Sequence, residues 1–81
     1  MNKVLVVEDS LTVRKILSKL LEDNPYLTPV LCKDFAEATR ELEKGSDFLA
    51  AIVDLNLPDA PNGESVELSL SYSIPTLVLT G

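Results

Sequence analysis

The chain has 81 residues, thirteen Asp and Glu against seven Lys and Arg, and a formal net charge of −6. That balance disfavours direct nucleic-acid binding, because phosphate contacts need Lys and Arg. Hydrophobic residues at 46% argue for one folded domain, and no apolar run approaches the roughly 18 residues of a membrane span. The lone Cys32 cannot close an internal disulfide, and Met1-Asn2-Lys3 lacks the shape of a secretory signal, so a cytoplasmic location is expected. With no His at all, the chain cannot be the histidine phosphodonor of a relay.

In chain order, Lys3–Val7 is short, apolar and β-branched, as a strand buried on both faces should be. Ser10 is an N-cap candidate for a helix carrying Leu11, Ile16, Leu17, Leu20 and Leu21 near helical spacing. Asn24-Pro25 should end it. Thr28–Cys32 reads as a second strand, with Pro29 tolerable at its start or on a sheet edge. Asp34-Phe35-Ala36-Glu37 has the form of a capping box and opens a helix to about Lys44, stopped by Gly45. Ala50–Asp54 is the third strand, Leu55 to Asn62 a loop, and Gly63–Leu70 a weakly helical segment. Pro75 leads into a fourth strand, Thr76–Thr80. Strands alternating with helices predict right-handed crossovers and a parallel sheet.

Three of the four strands stop abruptly on polar residues: Glu8 and Asp9 after the first, Asp54 at the end of the third, Thr80 at the end of the fourth. The carboxyl ends of parallel strands share one rim, where ligands bind. Three carboxylates and a hydroxyl are therefore expected to converge there. Carboxylates that close need a cation or raised pKa values, and a hard divalent ion such as Mg²⁺ answers that need. The bland reading makes Glu8 and Asp9 partners of the first helix's positive N-terminus, and Asp54 a strand-end acid bonded to its own turn. Cys32 reads as a small core residue, while Arg14 and Lys15 are equally compatible with a protein partner and with solvent.

Val4-Leu5-Val6-Val7-Glu8-Asp9-Ser10, Ile52-Val53-Asp54-Leu55-Asn56-Leu57-Pro58 and Pro75-Thr76-Leu77-Val78-Leu79-Thr80-Gly81 resemble, in order and spacing, the receiver domain of two-component response regulators. The resemblance runs through the whole chain. It implies an α/β, flavodoxin-like doubly wound sheet, here of four strands and three helices in the order 2-1-3-4. It also implies Asp54 as phosphoacceptor, Asp9 as a direct Mg²⁺ ligand, Glu8 acting mostly through metal-bound water, and the Asn56 backbone carbonyl as a further ligand. Thr80 would hydrogen-bond the phosphoryl group. The partner would be a histidine kinase or phosphotransfer protein, and the domain a recipient rather than an enzyme.

Two positions depart from the family pattern. Ala60-Pro61-Asn62-Gly63 delivers the loop glycine one residue late, and Glu8 stands where many members have Asp. Judged by the resemblance, residues 1–81 form the N-terminal portion of a receiver. The fourth helix, the fifth strand with its phosphate-binding lysine and aromatic switch residue, and the fifth helix have no counterpart. Slow or undetectable phosphorylation of this chain, and a homodimer or higher oligomer formed through an exposed fourth-strand edge, are the corresponding expectations. The Pro58–Glu64 loop is similar to loops of receivers joined to diguanylate cyclase output domains. The alternative reading is a self-associating interaction fragment that is not phosphorylated. A nucleotide- or flavin-binding fragment is disfavoured, because no glycine-rich loop follows the first strand.

Overall fold

The computed structural model describes residues 2–45 and 47–80, so Met1, Ser46 and Gly81 lie outside it. The elements run β1 (Asn2–Val7), α1 (Leu11–Glu22), β2 (Leu27–Cys32), α2 (Phe35–Lys44), β3 (Ala50–Asp54), α3 (Glu64–Ser71) and β4 (Thr76–Leu79). All pairs are parallel, and the sheet order is β2-β1-β3-β4. This is the flavodoxin-like arrangement expected from the sequence. Boundaries move by a residue: β1 and β2 each begin one earlier, and β4 ends at Leu79 rather than Thr80. Pro29 sits on edge strand β2, opposite Val4, where a missing donor costs least.

Side-chain alternation along the strands divides the sheet into two unlike faces. Leu5 and Val7 of β1 and Ala51 and Val53 of β3 join Cys32, Ala38, Leu42, Phe48, Leu57, Ala60 and Ile74 in one buried cluster. Right-handed crossovers place α2 and α3 over this face, and Ala38 and Leu42 of α2 plug into it. α3 is tied down by polar groups, with the Ser69 and Thr76 hydroxyls 2.7 Å apart. The opposite face carries Val4 and Val6, both buried, and α1 lies over the β2 side of it.

The apolar stripe of α1 is buried less than its spacing predicts. No residue of α1 is fully buried, and Leu11, Ile16 and Leu20 are 57%, 55% and 62% exposed. Ile16 and Leu20 stand one turn apart on a flank of the helix, away from the half-buried Leu17 and Leu21 that meet the sheet side.

Helix ends follow the sequence closely. The Ser10 hydroxyl accepts from the Val13 amide at 3.3 Å. Asn24 folds the chain out of α1, its side-chain carbonyl accepting from Tyr26 N and its backbone carbonyl from Leu27 N. At α2, Asp34 accepts from Glu37 N at 2.8 Å, and Glu37 reaches back to Lys33 N at 2.8 Å, one residue beyond the usual capping box. Gly45 follows α2 in an extended conformation, φ 168°. Gly63 differs, since its φ of +80° is left-handed and a Cβ there would sit 3.2 Å from Leu55 Cδ1. Glycine is required at that position.

Candidate functional site

Parallel register brings the ends of β1, β3 and β4 to one rim. Val7 pairs with Val53, and Asp54 with Leu79. Glu8 and Asp9 step off β1 just beyond Val7. The Glu8 amide still donates to Cys32 O at 3.0 Å, so the ladder to β2 holds the chain straight up to the acid. Beyond β3, Leu55 N donates to Leu79 O at 3.0 Å. Thr80 therefore follows directly on the residue that pairs with Asp54, and it is exposed.

Glu8, Asp9 and Asp54 each offer a carboxylate oxygen, and the three oxygens lie within 4.8 Å of one another. Glu8 and Asp54 are buried and Asp9 is exposed, so the cluster has a protected floor and an open side. Asp54 accepts from the Asn56 amide at 3.0 Å, which draws that peptide beside the cluster. The Glu8 carboxyl is pushed up to about 7, first by burial and then by a shared hydrogen bond and charge repulsion with Asp54. The Ser10 backbone amide pulls in the other direction.

A hard divalent cation fits this donor set. Ligand oxygens around Mg²⁺ at about 2.1 Å stand roughly 3 to 4.2 Å apart in octahedral geometry, a little closer than the present spread. Like charges crowding a buried carboxyl upward are the condition that a cation relieves. Glu8, Asp9 and Asp54 thus come together as the sequence predicted.

Two residues around the site carry contacts that the linear pattern does not reveal. Arg14, on the second turn of α1, folds back so that one guanidinium nitrogen donates to Glu8 O at 2.7 Å and Asp9 O at 2.9 Å. Its position five and six residues past the acidic pair, one turn inside a capped helix, is the signal that could have flagged it.

Asp59 lies in the loop after β3. There Leu57 and Ala60 bridge each other and bury their side chains, which turns Pro58-Asp59 outward. The Asp59 carboxylate accepts from Phe35 N at 3.0 Å and Ala36 N at 3.2 Å, two free donors at the start of α2. The Phe35 bond in particular holds its carboxyl below the usual carboxylate value.

No family model matches the chain, and no curated protein matches it. Among solved structures it is similar to the crystal structure of a sensor protein from Polaromonas sp. JS666, with a TM-score of 0.80 and 22% sequence identity. The alignment covers 95% of this chain and 63% of that one, so the chain spans less than two thirds of the protein it matches. At that identity the likeness shows the fold alone, a flavodoxin-like sheet. No helix among the described residues is long and apolar enough to cross a membrane.

Proposed function

We propose that the chain is a receiver module of a two-component response regulator, taking a phosphoryl group on Asp54. The observation that carries this reading is the convergence of Glu8, Asp9 and Asp54 within 4.8 Å at the end of the sheet. In this reading an Asp54 carboxylate oxygen attacks the phosphorus of a phosphohistidine or a small acyl phosphate. A phosphorus–oxygen bond to Asp54 forms as the bond to the leaving group breaks, and the leaving group departs with the electron pair. Mg²⁺, held by Glu8, Asp9, Asp54 and the Asn56 carbonyl, would supply charge neutralisation at the phosphoryl oxygens. Asp9 lies on the open side of the cluster, from which the ion would enter, while Glu8 is buried. Thr80, next to the Leu79 register position, is assigned the hydrogen bond to the phosphoryl group.

The phosphoryl donor would be a histidine kinase or phosphotransfer protein, and the module itself a recipient without turnover. An output domain, of which a diguanylate cyclase is the suggested kind, would lie elsewhere in a longer protein. The test is prolonged incubation with Mg²⁺ and acetyl phosphate, read by intact mass. The expected result is a gain of one phosphoryl group that requires Mg²⁺ and disappears in Asp54→Asn. A chain that gains no mass, and whose unfolding midpoint ignores millimolar Mg²⁺, would sink the proposal.

A second reading, a self-associating fragment that is not phosphorylated, draws on the uncharged β4 edge with Leu77 63% exposed and Val78 38% exposed. Full phosphorylation with no change in association state would set it aside.

A further inference from the structure

We propose that Arg14 is a positioning residue for the metal-binding turn: by clamping the carbonyls of Glu8 and Asp9 together, it sets the direction in which both carboxylates leave the backbone. The proposal rests on the metal-assisted reading above and adds a residue to it. Successive carbonyls of an extended strand point to opposite sides. Here two consecutive ones meet a single guanidinium nitrogen, at 2.7 and 2.9 Å. The chain must therefore turn between Glu8 and Asp9, and the clamp holds that turn. Peptide units are planar, so fixing both carbonyls fixes two peptide planes. Asp9, held between those planes, and Glu8, at the edge of the first, then have little freedom left except in their side-chain torsions.

The clamp is anchored at its other end as well. Arg14 N donates to Ser10 O at 2.9 Å, and Ser10 caps α1 through Val13 N. Cap, first turn and guanidinium make one closed unit around the acidic pair. Arg14 is half-buried, so its side chain is held in place rather than sampling solvent.

Arg14 also carries a positive charge beside a site proposed to take a cation. As a charge alone it opposes metal binding. As a clamp it assists, because ligands held in place lose less freedom when they close on an ion. The two roles predict opposite signs, which makes them separable.

The experiment is a Mg²⁺ titration of the isotope-labelled chain, followed by backbone amide shifts, for the wild type, Arg14→Met and Arg14→Lys. Removal of partners that orient metal ligands characteristically weakens binding by about 10-fold or more. The expected result is that order of weakening in Arg14→Met, even though a repelling charge has gone. Arg14→Lys keeps the charge on a shorter stem that cannot span both carbonyls in the same way, so it should also bind more weakly than wild type. Each variant's unfolding midpoint without Mg²⁺ is recorded alongside, because a merely structural role would lower the midpoint and leave the dissociation constant of the folded fraction unchanged. Binding in either variant as tight as wild type, or tighter, overturns the proposal. If Arg14→Met does not fold, Arg14→Lys decides alone. A wild-type chain that shows no Mg²⁺-dependent shifts overturns the proposed metal site, and the role of Arg14 with it; only the variant results can overturn Arg14 by itself.

Discussion

Burial and the neighbouring Asp54 raise the Glu8 carboxyl from an ordinary 4.5 to about 7, and this makes the stability of the metal-free chain depend on pH. A folded-state value above the unfolded one means that the native state binds the proton more tightly. The associated stability is fully present below about pH 4.5 and is lost as pH rises through about 7. Without divalent ions, the free energy of unfolding should therefore be higher near pH 5.5 than near pH 8, by on the order of 1 to 3 kcal/mol, with a correspondingly higher midpoint. Glu8→Gln should flatten that dependence and stabilise the metal-free chain at the higher pH. Thermal scans across pH check both, and an identical profile in Glu8→Gln would show that another group is responsible. Cys32 behaves in the opposite practical sense. Buried against the core, its thiol is pushed up to about 12 by burial and by nearby Glu41 and Glu37. The thiolate is the reactive form, so Cys32 should resist alkylation at pH 8 in the folded chain and react promptly in denaturant. Mass spectrometry of iodoacetamide-treated samples reads this directly.

The loop after β3 and the start of α2 act as one unit because Asp59 spans them. Asp59→Ala would leave Phe35 N and Ala36 N without their partner, and its expected signature is faster hydrogen exchange at those two amides with a lower unfolding midpoint. The Asp59 carboxyl lies below its ordinary 3.8, so the stabilisation it gives is present above that value and fades as pH falls further. Exchange rates at Phe35 and Ala36 that match wild type would contradict the tether. The sheet order followed only from the family resemblance, whereas the strands, the helices and the acidic trio were legible in the sequence, because each is written in local periodicity, caps and strand-end residues. Asp59 was not: its partners lie more than twenty positions away, and an aspartate after Pro58 looks like ordinary turn chemistry. Arg14 was only half legible, since its place one turn into a capped helix after the acidic pair puts it in reach, but a helical arginine does not by itself say which way it folds. The α1 stripe misled in the other direction. Helical spacing shows which residues share a side, whereas burial depends on whether a neighbour covers it, and Ile16 and Leu20 are not covered among the described residues.

Across the molecule the sheet is dressed unevenly, with two helices and a dense core on one face and α1 alone on the other. Leu77 on β4, with Ile16 and Leu20 on α1, is open to solvent, and no described strand pairs with the outer edge of β4. Such an uncharged edge recruits other strands, and the chain is expected to self-associate at tens of micromolar, with two β4 edges running antiparallel about a two-fold axis. Sedimentation showing a monomer throughout that range would refute this, and a Leu77→Lys substitution should shift any dimer toward monomer. The all-parallel pairing also bears on how quickly the molecule can form. No strand pairs with its neighbour through a hairpin: Asn2 waits for Leu27, Val4 for Ala50, and Ala51 for Thr76. Each ladder must close a long loop before any of its hydrogen bonds is gained. β1 stands at the crossing of two such closures, and the longer of them, to β3, is also the step that brings Asp54 up to Glu8 and Asp9. The acidic rim therefore forms with the longest of these closures, and its mutual repulsion is met at that step.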